Sequence, residues 1–198
     1  MKVRKMKLET KNILFSDECW ITTKENTGHY QWVANDEFPF PREVQGRYNV
    51  SRLVIWAAVG VGYRSPLVFI PKKVKDDDGE EASYNLNAKG YRRRCLSKVS
   101  RHLRENPHLH FLQDGARPHI AASTTEYFAA NRFNLLQNPP YSPDLNPIEL
   151  VWKDLHAAIG LLCPTNEEEL RAAAIEAWAG LDTIDAHCLH WKNAVDRI

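Results

Sequence analysis

Two apolar runs in this sequence each lead into an aspartate. Ile13-Leu14-Phe15-Ser16 precedes Asp17, and His110-Phe111-Leu112-Gln113 precedes Asp114. A carboxylate just past a buried strand is held rigidly at the edge of a sheet. If the two strands are neighbours, the carboxylates face each other, and each disfavours ionisation of the other unless a cation lies between them. A third carboxylate, Glu149, follows Pro147 in the first turn of an expected helix, where the helix dipole tolerates negative charge. Carboxylates are hard-oxygen donors of the kind that hold Mg²⁺ together with water and substrate phosphates. Two such ions, about 3.5–4 Å apart, serve in-line displacement at phosphorus: one lowers the pKa of the attacking water or 3′-hydroxyl, the other stabilises the leaving oxygen. Asp17, Asp114 and Glu149 are therefore the candidate catalytic residues and the candidate metal ligands. Spacing alone does not single them out among 25 acidic residues. Their context does: an apolar strand before each Asp, and a Pro-rich loop that delivers Glu to a helix start.

Other chemistry-bearing residues carry competing readings. Asp144, in Ser142-Pro143-Asp144, reads as a turn residue bonded to its own backbone rather than as the third carboxylate. Glu18 flanks Asp17, and on a strand it points to the opposite face. His119 lies five residues past Asp114 and reads as a structural hydrogen-bonding group ahead of a phosphate or metal-water contact. Arg92, Arg93, Arg94, Arg101 and Arg104 share one helix, where a solvated outer face is favoured slightly over phosphate contact. Lys72-Lys73 is open between the same two readings. His187, Cys188 and His190, with Cys163 and His156, superficially resemble a zinc site, but their spacing matches no common finger. Trp152 and Trp178 read as core anchors.

The elements that must position these residues follow from periodicity. Strands are expected at 12–17, 29–33, 53–59 and 66–70, with turns containing Gly60, Gly62 and Ser65 joining the last two. The acidic stretch at about 74–84 is expected to be an exposed loop. From Tyr91 to Glu105, Tyr91, Cys95, Val99 and Leu103 recur every four residues with basic residues between them, a helix closed by Pro107. A strand over 108–114, a helix over 121–131 and a strand over 133–136 follow. The Pro-rich loop 139–147 then runs into a helix starting near Ile148, and two more helices come after it. One of these starts at Thr165, with Glu168 three residues on in the manner of a capping box. Three antiparallel strands, then helix, strand, helix, strand and several helices, imply an α/β fold: a mixed sheet with helices on its faces.

Composition sets the bounds. With 198 residues, 43% of them hydrophobic, the chain is expected to form one compact domain over 1–198 with a core that needs no staples. Four scattered cysteines, none in a CxxC pair, read as free thiols in a reducing compartment. No apolar run approaches the roughly 18 residues of a membrane span. An intracellular protein is expected, nuclear if its host is eukaryotic. The net charge of +1 hides an uneven distribution, with Asp76–Asp78 and Glu80-Glu81 set between basic clusters.

Phe15-Ser16-Asp17-Glu18, Gln113-Asp114-Gly115-Ala116-Arg117-Pro118-His119 and Tyr141-Ser142-Pro143-Asp144-Leu145-Asn146-Pro147-Ile148-Glu149 with Trp152 together resemble the mariner superfamily of cut-and-paste DNA transposases. Thirty-four residues lie between Asp114 and Glu149, which is similar to the branch with Asp, Asp and Glu. The resemblance runs from about Asn12 to Ala158. It implies an RNase H-like fold, here a mixed five-stranded sheet flanked by helices with extra C-terminal helices. It implies Mg²⁺ or Mn²⁺, two ions, as cofactor. It also implies double-stranded DNA, as transposon ends and target, for a substrate. Family members hydrolyse DNA at the element's ends and join the freed 3′-hydroxyls to a new site, usually at TA. The stretch 36–49 stands where the family has a clamp loop that contacts a partner subunit, so a homodimer is expected. The family's N-terminal helix-turn-helix domains are expected to be absent, since the sequence starts about a dozen residues before its first strand. Gly115 stands where many relatives have Asn, and it would let a backbone approach a phosphate closely. Two further readings stand beside this one: a decayed or co-opted fragment that binds DNA or a partner subunit without cutting, and a stand-alone RNase H-like nuclease.

Overall fold

The computed structural model describes residues 9–23, 50–75, 81–83, 86–137 and 146–190. A 3-10 turn, Thr10–Asn12, opens the fold and leads into β1, Ile13–Thr22. β2, Arg52–Gly60, runs antiparallel to β1, from Phe15 opposite Val59 to Thr22 opposite Arg52. Two short strands, β3 (Tyr63–Arg64) and β4 (Val68–Ile70), pair in turn with the far edge of β2. They are one sheet position broken at Ser65-Pro66-Leu67. The break is bridged, because Ser65 N–H donates to Ala58 O at 2.9 Å and Ser65 Oγ accepts from Ala58 N–H at 2.9 Å. Proline has no N–H to continue the ladder. The turn between β2 and β3 uses Gly62 at φ 71°, the left-handed region that suits glycine.

On its other edge β1 pairs in parallel with β7, His110–Gln113, which pairs in parallel with β8, Asn134–Gln137. The sheet order is β3/β4-β2-β1-β7-β8, six strands in five positions, so the expected mixed five-stranded sheet is present with one position split. β5 (Lys73–Lys75) and β6 (Glu81–Ser83) form a separate antiparallel hairpin. This corrects the expectation of a loop over 74–84: the flanks of the acidic run pair as strands, and residues 76–80 lie outside the described residues. The strand expected at 29–33 and the clamp-like stretch 36–49 also lie outside them.

The helices cover both faces. α1 (Ala88–Gly90) runs into a π-helical segment, Tyr91–Leu96, and then into α2 (Ser97–Glu105). α3 (Arg117–Ile120), not foreseen, carries Pro118 in its first turn, and α4 (Ala122–Asn131) follows. α5 (Ile148–Leu162), α6 (Glu167–Gly180) and α7 (Ile184–His190) complete the fold. The cap of α6 sits one residue later than expected. Asn166 accepts from Glu169 N–H at 2.9 Å, and Glu169 reaches back to Thr165 N–H at 2.8 Å.

Alternation along the strands splits the core in two. Ile13, Phe15 and Ile21 of β1, with Ile55, Ala57 and Val59 of β2, pack under α5, α6 and α7 against Val151, Trp152, Leu155 and Trp178. Leu14, Trp56, Ala58 and Phe111 face the other way, onto Tyr91, Cys95, Val99, Leu103 and Phe128. β2 is apolar on both faces because both are covered. Trp152 and Trp178 stack at 5.7 Å as core anchors. Among the described residues, no helix is long and apolar enough to cross a membrane.

Candidate active site

Asp17 sits in the middle of β1, opposite Ala57, not past the end of a strand as the apolar run implied. The strand continues because Glu18 to Thr22 pair with residues 52–56 of β2. By alternation Asp17 shares the face of Phe15 and Ile21, the side covered by α5. Asp114 is the first residue after β7. The parallel register pairs Phe15 with Leu112, so two residues further along each chain Asp17 and Asp114 stand side by side. Ser16 Oγ donates to Leu112 O at 3.0 Å and pins this register at the step before the carboxylates. Glu149 occupies the first turn of α5, at the surface. Its helix begins beside Asp17 because Asn146, three residues earlier, bonds to the middle of β1.

Asn146 is the residue that sequence reasoning passed over. It is buried, and its Nδ2 donates to Ser16 O at 3.4 Å and to Asp17 Oδ2 at 3.3 Å. Its main-chain O accepts from Glu149 N–H at 3.1 Å. One residue, through its amide side chain and its main-chain O, thus ties β1 to the start of α5. The usable signal was its position: an Asn-Pro step immediately before the helix that carries Glu149. Asp144 lies outside the described residues.

Asp114 is held by a different set. Its Oδ1 accepts from Ala116 N–H at 3.0 Å and contacts His119 Nδ1 at 2.5 Å. His119 is 2% exposed, and its Nε2 stands 3.2 Å from Glu18 Oε1. Both ring nitrogens are therefore engaged, as a structural hydrogen-bonding role requires. Glu18 does point to the opposite face from Asp17, yet through His119 it is coupled to Asp114, a link that residue-by-residue reading missed. Behind them, Gln113 accepts from the Tyr91 hydroxyl at 2.8 Å and donates to His119 O at 3.0 Å. The Tyr91 ring lies 4.2 Å from that of His119. Gly115 has open space where a side chain would stand, so the fold does not demand glycine there.

The electrostatics divide the carboxylates. Burial pushes Asp17 up to about 7, and the charges of Glu18, Glu149 and Asp114 add to it against the hydrogen bond from Glu18 N–H. The bond from His119 holds Asp114 below the usual carboxylate range, helped by Ala116 N–H. Burial alone would lower His119, but its bonds to Asp114 and Glu18, and their charges, raise it to about 9. Glu149, although exposed, is raised by the protein surrounding its carboxyl.

Among the described residues, no three His, Cys, Asp or Glu side chains stand close enough together to hold a metal ion. The reason at Asp114 is visible: its Oδ1 is turned to Ala116 and His119. The donor chemistry still fits a hard divalent cation. Asp17 is a half-buried carboxylate raised first by that burial and then by three neighbouring carboxylates, and Asn146 Oδ1 is buried without a hydrogen-bond partner. The residues of the zinc-like reading are spread apart. His187 bonds Asp154 Oδ2 at 2.7 Å, Cys188 is buried in the core, Cys163 is exposed, and His156 meets Cys19 at 3.1 Å. Lys72 pairs with Glu167 at 2.9 Å, a surface ion pair.

Residues 12–171 match the family model described as DDE superfamily endonuclease. The chain is 29% identical over 143 residues to the Transposable element Tc3 transposase of Caenorhabditis elegans, covering 71% of this chain and 40% of that protein. It is 30% identical over 140 residues to the Histone-lysine N-methyltransferase SETMAR of Homo sapiens, covering 68% of this chain and 19% of that protein. The chain thus spans less than half the length of these relatives. Among solved structures, the Mos1 transposase paired-end complex with left transposon end superposes with a TM-score of 0.68 at 17% identity, over 95% of this chain and 55% of that one. The catalytic domain of Mos1 mariner transposase superposes with a TM-score of 0.58 at 17% identity, over 95% of this chain and 79% of that one. The shared fold is the RNase H-like mixed sheet with flanking helices.

Proposed function

Because this chain belongs to the DDE superfamily endonuclease family, we propose that it is the catalytic domain of a metal-dependent DNA transposase, a single domain over 1–198. In this reading it hydrolyses double-stranded DNA at transposon ends and transfers the freed 3′-hydroxyl to target DNA. Asp17, Asp114 and Glu149 are its catalytic residues and the ligands of Mg²⁺ or Mn²⁺, two ions. The observation that carries the reading is the placement of Asp17 on β1 and of Asp114 just past the parallel neighbour β7, with the start of the Glu149 helix tied beside Asp17 by Asn146. The divalent cation, when bound, stabilises charge on the attacking and leaving oxygens of an in-line displacement.

The chain's own side chains set up that chemistry. Asn146 fixes the Asp17 carboxylate by a hydrogen bond, and Ser16 fixes the strand beneath it. His119 and Ala116 N–H hold Asp114 ionised and oriented. Glu149, on an exposed first turn of α5, would supply the third carboxylate to the arriving substrate phosphate. The Mos1 transposase is solved with a transposon end, and a DNA duplex is the polyanion that would complete this site. The stretch 36–49 would then contact a second subunit, and a eukaryotic host would place the protein in the nucleus.

A labelled duplex incubated with Mg²⁺ or Mn²⁺ tests the reading. Metal-dependent cleavage by the parent, abolished in Asp114→Ala, is expected. Equal cleavage by the variant overturns the site. DNA binding without cleavage by the parent points instead to a decayed or co-opted fragment. That second reading draws on the absence, among the described residues, of a converged three-carboxylate cluster.

A further inference from the structure

Away from the carboxylates, the helical run 88–105 borders a cavity of about 500 Å³ lined by Val68, Asn87, Lys89, Gly90, Arg93, Arg94 and Lys98. Four of these seven are cationic and none is acidic. All four cations are exposed, and Lys89, Arg93 and Lys98 form no ion pair among the described residues. The other basic residues of the same run are differently employed. Arg92 donates to Ser123 Oγ at 2.5 Å, and Arg101 pairs with Glu105 at 2.8 Å.

The π-helical segment explains why these four share one cavity. In an uninterrupted α-helix, at about 100° per residue, Lys89 and Lys98 would lie on opposite sides of the axis, about 180° apart. The wider turns of Tyr91–Leu96, in which Ser97 N–H reaches back five residues to Arg92 O, advance by only about 82° per residue. That brings Lys89, Arg93, Arg94 and Lys98 within an arc of about 90°. The π segment costs little on the inner face, where Tyr91, Cys95 and Leu96 remain buried.

We infer that this cavity is a binding site for the phosphodiester backbone of duplex DNA, separate from the carboxylates. Lys89 to Lys98 spans roughly 13 Å along the axis, about four base-pair steps at 3.4 Å each along one strand. A row of cations on a helix, with no carboxylate among the described lining residues, suits a repeating phosphate chain better than a single anion. The face also adjoins the proposed chemistry. α1 packs against α3, which carries His119. The next residue, Tyr91, bonds Gln113, the neighbour of Asp114. A duplex whose scissile phosphate reached Asp114 would have backbone to lay along this run. The inference rests on the proposed DNA-processing function only for the identity of the polyanion.

The test is binding of the full chain to a labelled duplex over a salt series, in EDTA so that metal binding does not contribute. The parent is compared with Lys89→Gln/Arg93→Gln/Lys98→Gln, which removes three charges, and with Arg101→Gln/Arg104→Gln, a control that removes two on the same run outside the cavity. Three lost phosphate contacts reduce the salt slope by about 0.9 each, so between 50 and 200 mM salt the parent's affinity should fall about 40-fold more than the triple variant's. The control should keep the parent's slope. An unchanged slope in the triple variant, or an equal loss in the control, overturns the inference. Stronger binding to phosphatidylserine vesicles or to a polyglutamate peptide than to the duplex also overturns it. If the triple variant does not fold, Lys98→Gln alone should lose about one unit of slope, and no loss overturns the inference. Cleavage assays on the same proteins separate the two readings. A parent that binds with the full slope but never cuts leaves the cavity assignment standing while the enzymatic one falls.

Discussion

Asp17, on β1, and Asp114, the first residue after the parallel β7, each lie two residues beyond the paired Phe15 and Leu112. Burial disfavours the charge on Asp17, and the charges of Glu18, Glu149 and Asp114 add to that cost. Without a divalent ion, Asp17→Asn should therefore stabilise the fold at pH 8, where the carboxylate is ionised, raising the thermal midpoint by roughly 2–4 °C for each kcal/mol relieved. Mg²⁺ should raise the parent's midpoint by binding the folded state, and raise the variant's less. Thermal melts with Mg²⁺ and with EDTA check both halves. A variant less stable than the parent in EDTA would contradict the account.

Asn146→Ala should cost stability and activity together, because it removes the bonds that tie the helix start to β1. A loss of about 1–3 kcal/mol is expected from unmade buried hydrogen bonds. Asn146→Asp should be worse for folding, since it sets a further carboxylate beside Asp17. Urea denaturation orders the two.

His119→Phe should lower the cleavage rate by about 10–100-fold, the range seen when an outer partner of a metal ligand is lost. Filling the ring's volume keeps the packing against Tyr91, so the fold should survive. The readout is single-turnover cleavage at several Mg²⁺ concentrations. Loss of Asp114 orientation predicts partial rescue at high Mg²⁺, and a defect insensitive to metal would count against it.

Gly60→Ala tests the fit between β1 and β2. A Cβ there would stand 2.6 Å from Leu14 Cδ2 and 2.9 Å from the main-chain O of Ile13. The side chain of Leu14 can yield, but the backbone of Ile13 cannot without shifting the strand that carries Asp17. A destabilisation of about 1–3 kcal/mol is expected, measured as a fall in urea midpoint at constant slope.

Two histidines give a contribution to stability that acid removes, opposing the gain that Asp17 and His119, both raised in the folded state, give as pH falls. Burial lowers both His102, stacked on Tyr63 at 3.9 Å, and His110 of β7. A histidine depressed in the folded state takes up its proton more readily when unfolded. The stability is whole above the unfolded value near 6.5 and is lost as pH falls through it toward the lower folded values. His102→Gln should flatten part of this fall, as read from denaturation between pH 5 and 8.

Local pattern reached a good part of this molecule. The four-residue recurrence of Tyr91, Cys95, Val99 and Leu103 defined the buried face of the run that includes α2, and the apolar stretch at 53–59 defined β2. Asp114 was legible as the end of β7, and Glu149 as a first-turn carboxylate after Pro147. Each of these is decided within a few residues, by side-chain period or by a proline's missing N–H. The middle of β1 was not legible, because Glu18 to Thr22 look like a strand only once β2 is alongside. Nor was the π segment, since its basic and apolar residues satisfy an α-helical pattern nearly as well.

From the amino-acid order alone came the inventory: which carboxylates, which helix start, and a mixed sheet to hold them. Tertiary structure decided what those groups touch. The parallel pairing of β1 with β7 brings Asp17 near Asp114, Asn146 anchors the start of α5 to Asp17, and His119, bonded to Asp114, meets Glu18 from 101 residues away in the chain. Strand partner, register and buried hydrogen bonds are choices made between distant segments when their surfaces close on one another. No local period encodes them, so they exist only once the sheet and its two helical layers have packed.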